Sequence, residues 1–214
     1  MVNICVEGGI GVGKSTLVRF CSQFLHCHPV YEQPELNPFL EDFYRASDKR
    51  DWAKHLLYTF LLLQERQLRL ALSCSTPDDL VICDFHPLKN LVFANTLLSK
   101  NDQENLLGLY QSLRIPQPDL LIFLKADEHT LLARLRKKNG PHLAHLDFTF
   151  LTQLCSAYES FFRSSYKGRC IIIDNSRLDY YERTSDIHVP LNHMQEVLNI
   201  LPYIKPAREE GGEV

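Results

Sequence analysis

The sequence has no excess of positive charge. Its 23 Lys and Arg stand against 26 Asp and Glu, for a formal net charge of −3. No broad basic field is available for a duplex, and no nucleic acid polymer is expected as a partner. Any contact with a nucleotide has to be local. Also missing is an apolar run approaching the roughly 20 residues that span a bilayer. The chain runs almost at once into an apolar segment at 2–6, without the basic stretch that opens a secretory signal. The expectation is therefore no membrane and a cytoplasmic location. Regular cysteine spacing is absent too. The seven cysteines, Cys5, Cys21, Cys27, Cys74, Cys83, Cys155 and Cys170, are odd in number, irregularly spaced and often inside apolar runs. They read as reduced, buried thiols. Cys21, His26, Cys27 and His28 lie close together, but no second ligand pair follows at zinc-like spacing. They read as the end of a helix and the start of a strand. There is no internal repeat and no low-complexity linker.

What remains is 214 residues, 45% hydrophobic and 23% charged, which suits one domain with a substantial core. Four short apolar runs, 2–6, 80–83, 120–124 and 170–173, have the character of strands buried on both faces. A weaker fifth covers 29–31. Helical patterns fill the gaps at 14–25, 38–44, 52–73, 88–99, 103–113, 129–137, 148–164 and 190–200. Strands alternating with helices imply right-handed crossovers and an α/β fold with helices on both faces of the sheet. The domain is expected over 1–202, with the acidic, glycine-containing end 203–214 fraying.

The first strand leads directly into Gly8-Gly9-Ile10-Gly11-Val12-Gly13-Lys14-Ser15-Thr16. Glycines let the backbone wrap a phosphate with its N–H groups turned inward. The helix that begins near Lys14 adds its positive end. Lys14 supplies a charge for the β- and γ-phosphates, and Ser15 a hydroxyl for Mg²⁺. A glycine-rich turn without this role would rarely carry the full pattern in strand–loop–helix context. The cofactors implied are ATP and Mg²⁺, with residues 8–16 as the nucleotide site.

Two carboxylates fall at strand ends, where open α/β sheets bind ligands. Asp84 closes the run 80–83 and is expected to hold the metal with Ser15, in preference to capping the next helix. Glu32 closes the weak strand. By itself it reads as a surface acid, though a general base is chemically possible there.

The segments Val6-Glu7-Gly8 to Leu17, Tyr31-Glu32, Asn37-Pro38-Phe39-Leu40 with Phe43-Tyr44, Asp84 with Lys89, Leu91-Val92-Phe93-Ala94, and Pro118-Asp119-Leu120 to Leu124 together resemble the deoxynucleoside kinases of the P-loop kinase group. The later Leu178-Asp179-Tyr180 and Ser185-Asp186 are similar to that family's C-terminal pattern. The bacterial deoxyadenosine/deoxyguanosine kinase-like members look most similar. The resemblance implies a five-stranded parallel sheet in the P-loop kinase fold, a homodimer, a small nucleoside acceptor, and transfer of the ATP γ-phosphoryl group to a deoxynucleoside 5′-hydroxyl in nucleotide salvage. It also implies Glu32 as the base.

The pattern departs in three places. Phe85 follows Asp84 where many members have Arg, and Lys89 is expected to supply the missing charge. The family's basic lid corresponds to Arg134 through Leu143, where Arg136 and Lys138 remain as cations and Gly140 and Leu143 replace an Arg and a Glu. The base-reading Gln falls near Leu57, with Gln64 later in the same helix; Leu57, Phe60 and Gln64 are therefore expected to contact the substrate, along with Glu32. Two alternatives stand beside the kinase: a nucleoside monophosphate kinase, which would need basic residues near Glu32, and a divergent nucleotide-binding regulator of the pseudokinase kind.

Overall fold

Five parallel strands form the centre of the molecule, which is a computed structural model describing residues 1–137, 148–180 and 182–205. The strands are β1 (Val2–Gly8), β2 (His28–Val30), β3 (Leu80–Cys83), β4 (Leu120–Lys125) and β5 (Cys170–Asp174), in the spatial order β2-β3-β1-β4-β5. The register pairs Cys5 with Cys83 on one side of β1 and with Leu121 on the other. β1 runs two residues past the apolar segment because Glu7 and Gly8 still pair with Phe123 and Leu124.

The eight described helices are α1 (Lys14–Phe24), α2 (Leu40–Arg45), α3 (Arg50–Ser73), α4 (Lys89–Leu97), α5 (Lys100–Ser112), α6 (Glu128–Lys137), α7 (Phe148–Ser164) and α8 (His188–Val197). Several boundaries differ from the sequence reading for local reasons. α5 starts three residues early because the Ser99 hydroxyl accepts from Asp102 N–H and caps it. α2 starts late because the Asn37 side chain accepts from Phe39 N–H and holds a turn ahead of it.

Side chains of a strand alternate between the two faces of the sheet. Ile4, Val6, Leu120, Ile122 and Leu124 join one buried cluster with Leu17 of α1, Leu131 of α6 and Met194 of α8. Leu121 and Phe123 face the other side, with Phe60 of α3, Val92 of α4 and Tyr158 of α7. Cys5 and Cys83 lie with Leu57 and Phe85 in a third cluster continuing that face. Both faces being covered explains why the strands read as continuous apolar runs. Glu7, two residues beyond Cys5, follows it onto the α3 side.

Two expectations need correction. Cys74 is exposed and Cys27, Cys155 and Cys170 are only partly buried, although all seven cysteines are free. The chain end is docked further than 202: Ile204 bridges Leu25, and Lys205 donates its N–H to the Phe24 carbonyl and its ammonium to Ser22. Residues 206–214 lie outside the described part.

Candidate active site

At the carboxyl end of β1 the chain turns through the glycine loop into α1. A Cβ on Gly8 would collide with the Leu124 carbonyl oxygen, so only glycine permits this approach of the two backbones. Gly13 is the residue ahead of α1 and has φ 108°, a left-handed conformation that favours glycine. The Lys14 ammonium donates to the carbonyls of Gly8 at 2.8 Å and Gly9 at 3.0 Å. Burial, partly opposed by Glu7, holds that ammonium below its usual range.

The loop is held from behind. The Val12 carbonyl accepts from Asn175 Nδ2 at 2.7 Å and from Arg134 Nη1 at 3.1 Å. Arg134 also donates to the carbonyls of Asn175 and Leu178, and the Tyr180 hydroxyl donates to Asn175 Oδ1 at 2.9 Å. Val12 itself is buried, so its side chain belongs to the core and its carbonyl to this scaffold.

The acceptor side is built from the ends of β2 and β3. Backbone N–H of Glu32 donates to Asp84 Oδ1 at 2.7 Å, which ties the two strand ends together. Asp84 does not cap α4, whose start at Leu88 has no side-chain cap; His86 Nδ1 accepts from Leu88 N–H in the turn ahead of the helix. His86 Nε2 therefore carries the proton and faces the Pro116 carbonyl at 3.1 Å. Burial lowers the His86 pKa to about 4, keeping the ring neutral. Phe85, at the position of the family's Arg, is fully buried.

One turn further, Lys89 Nζ lies 2.5 and 2.6 Å from the two Glu32 carboxylate oxygens. Burial is the largest influence on the Glu32 carboxyl and works to raise its pKa, but the charge and hydrogen bond of Lys89, joined by the Lys14 charge and the Gln64 hydrogen bond, together hold it below its usual range. For Lys89, burial works downward, while Glu32 and then Glu7 overcome it and raise the ammonium. Gln64 donates to Glu32 Oε1 at 2.5 Å and accepts from Asn90 at 2.7 Å. Glu7 sits beneath, accepting from His86 N–H and Gly8 N–H; burial pushes its pKa up to about 7, against Lys89 and Lys14.

These groups open into a cavity of about 380 Å³ that reaches from Gly8, Ile10, Gly11, Lys14 and Ser15 to Glu32, Asp84 and Lys89. Leu56, Leu57, Phe60, Phe93 and Tyr158 form its apolar wall. Among the described residues its cationic lining is Lys14 and Lys89. Arg45 is exposed and paired with Glu41. The structure thus brings Glu32, Lys14, Ser15, Asp84, Lys89, Leu57 and Phe60 around one space. Gly9, Val12, Gly13 and Thr16 support the loop without lining it. Gln64 is buried, bonded to Glu32 and Asn90, and outside the lining of this cavity. Arg136 is exposed on the last turn of α6 and outside the lining. Lys138, Gly140 and Leu143 lie outside the described residues.

Sequence reasoning overlooked four contributors. Glu7 had a visible signal, a lone acid closing an apolar strand. Asn90, Tyr158 and Asn175 had none, because their roles depend on partners distant in the chain.

A sequence model of the deoxynucleoside kinase family matches residues 4–199. The deoxyguanosine kinase of Bacillus subtilis (strain 168) is 30% identical over 207 residues, covering 91% of this chain and 97% of that one. The deoxyguanosine kinase of Lactobacillus johnsonii is 27% identical over 216 residues, covering 93% and 90%. Among solved structures, M. mycoides deoxyadenosine kinase with dCMP and a flexible dCDP bound superposes with a TM-score of 0.78 at 20% identity, covering 91% of this chain and all of the other. The same enzyme with bound dATP gives 0.77 at 21% identity, with the same coverage.

Proposed function

This chain belongs to the deoxynucleoside kinase family, and from that premise we propose that it moves the γ-phosphoryl group of ATP to the 5′-hydroxyl of a deoxynucleoside, with Glu32 as the base. The observation that carries the reading is the single cavity joining the glycine loop to Glu32, Asp84 and Lys89. Glu32 takes the hydroxyl proton, the freed oxygen bonds to the γ-phosphorus, and the bond to the β,γ-bridging oxygen breaks to release ADP. Lys14 and the loop N–H groups hold the phosphates. Lys89 takes the place of the Arg that Phe85 displaces, keeping Glu32 ionised. The Ser15 hydroxyl and the Asp84 carboxylate, both lining this cavity, are hard oxygen donors suited to Mg²⁺, which would neutralise charge on the phosphates.

A purine deoxynucleoside is the favoured acceptor, supported by the two deoxyguanosine kinases. Discrimination between bases is loose, because an apolar wall supplies only about 1–3 kcal/mol. A monophosphate acceptor is disfavoured, since both lining cations are already engaged and a buried dianion needs partners of its own. The reading includes a homodimer and a cytoplasmic location, the latter in keeping with seven free thiols.

The test is kcat/KM for deoxyadenosine, deoxyguanosine, deoxycytidine, thymidine and their monophosphates with Mg-ATP. Nucleosides should turn over and Glu32→Gln should lower kcat by about 10² or more with ATP affinity kept. A monophosphate that outpaces every nucleoside overturns the acceptor assignment. ATP binding without turnover of any acceptor points to the regulator instead.

A further inference from the structure

The Pro87 carbonyl can only accept a hydrogen bond, and Asn90 Nδ2 approaches it at 2.9 Å. That contact fixes which end of the Asn90 amide is the NH₂ group. The same nitrogen lies 2.7 Å from Gln64 Oε1, so its second proton goes there. The Gln64 amide is oriented in turn, and its NH₂ group faces Glu32 Oε1 at 2.5 Å. Gln64 and Asn90 are both about 1% exposed, so these bonds are largely shielded from bulk solvent.

The consequence falls on the two carboxylate oxygens of Glu32. Oε1 receives Gln64 and Lys89, which occupies both of its lone pairs. Among the described residues, the hydrogen bond given to Oε2 is that of Lys89, at 2.6 Å. One lone pair on Oε2 remains for the acceptor hydroxyl. We propose that the buried Pro87–Asn90–Gln64 relay is a positioning device which selects Glu32 Oε2 as the proton-accepting atom and holds it toward the acceptor. Gln64 then acts through Glu32 and does not read the base. The relay also delivers a hydrogen bond to the ionised form of Glu32, in line with a carboxyl held below its usual range.

This inference rests on Glu32 being the base, so Glu32→Gln is measured alongside. The informative variants are Gln64→Met, which keeps the length and removes both hydrogen bonds, Asn90→Leu, and the two combined. Each single variant should lower kcat by about tenfold, the scale of one hydrogen bond to a charged group. KM for the nucleoside should change little. The acid limb of the kcat profile should move up by about one pH unit, as Glu32 loses a donor to its ionised form. The double variant should resemble Gln64→Met, because the two residues act in series. If Asn90→Leu does not fold, Asn90→Ser, too short to reach Gln64, takes its place with the same expectations.

An unmoved acid limb in Gln64→Met overturns the relay, as does additivity in the double variant. A raised KM at unchanged kcat does so as well, and returns Gln64 to base reading. Unchanged kcat in Glu32→Gln sinks the base assignment itself, whereas a large loss there with an unmoved limb in Gln64→Met sinks the relay alone.

Discussion

Glu7 shows what one buried side chain does to the behaviour of the folded protein. Its carboxyl ordinarily loses its proton at 4.5 and here keeps it to about 7, burial being the main cause. Between those values the folded chain binds a proton that the unfolded chain releases, so this group's contribution falls as pH rises, by about 3 kcal/mol in all. His86 acts the other way: depressed from 6.5 to about 4, it favours the fold above 6.5 and withdraws that support as pH falls through 4. The two slopes oppose each other over most of the same range. In Glu7→Gln only the His86 slope is left. Relative to wild type, the variant should therefore gain stability from pH 4.5 to 7, whatever constant offset the amide adds. Urea unfolding at several pH values measures the difference, and parallel profiles would contradict it. The acid was visible in the sequence as the last side chain of an apolar strand. Its environment was not, because His86 and Lys89 reach it from about eighty residues away.

At the scale of elements, the glycine loop is a small motif held by remote chain. The segment after β5 supplies Asn175 and Tyr180, and α6 supplies Arg134; the first and last of these converge on the Val12 carbonyl. That peptide immediately precedes Gly13 and the start of α1, so its orientation decides where the first N–H groups of the helix point. Asn175→Ala removes one of the two donors and leaves the buried Tyr180 hydroxyl without its acceptor. A loss of about 1–3 kcal/mol in stability is expected. KM for ATP should rise several-fold while KM for the nucleoside stays near wild type. Equal rises in both would show that Asn175 supports the whole domain and not the loop. The loop itself was legible from glycine spacing, since glycine alone tolerates the close approach at Gly8 and the positive φ at Gly13. Its scaffold was illegible: Asn175 and Arg134 carry no local pattern, and Arg134 read as part of a basic lid.

Across the whole molecule, α3 supplies part of the cavity's apolar wall on one face and leaves apolar side chains exposed on another. Leu56, Leu57 and Phe60 turn toward the cavity, while Leu62 and Leu70 are exposed. Leu70 and the exposed Leu36 border a smaller hollow of about 120 Å³ beside Glu32. Apolar side chains left in water on a helix face are a natural place for the second copy in the proposed homodimer. Light scattering should give the mass of two chains, and Leu70→Glu should shift it toward one. A monomeric wild type, or an unaffected Leu70→Glu dimer, would remove this face from consideration.

By itself the sequence determined the architecture and the glycine loop between β1 and α1. Buried parallel strands need continuous apolar runs, helices over them need a 3.6-residue period, and a loop that cradles phosphate needs glycines at set positions; all of these are local requirements written in neighbouring residues. The family motifs pointed to Glu32, Asp84 and Lys89 in the same way. Only the tertiary structure decided how those groups are tuned. It placed Lys89 against Glu32, tied Gln64 to Glu32 and Asn90, buried Phe85, and raised the Glu7 pKa. Each of these follows from burial and from contacts between distant segments, and neither is encoded in the spacing of adjacent residues.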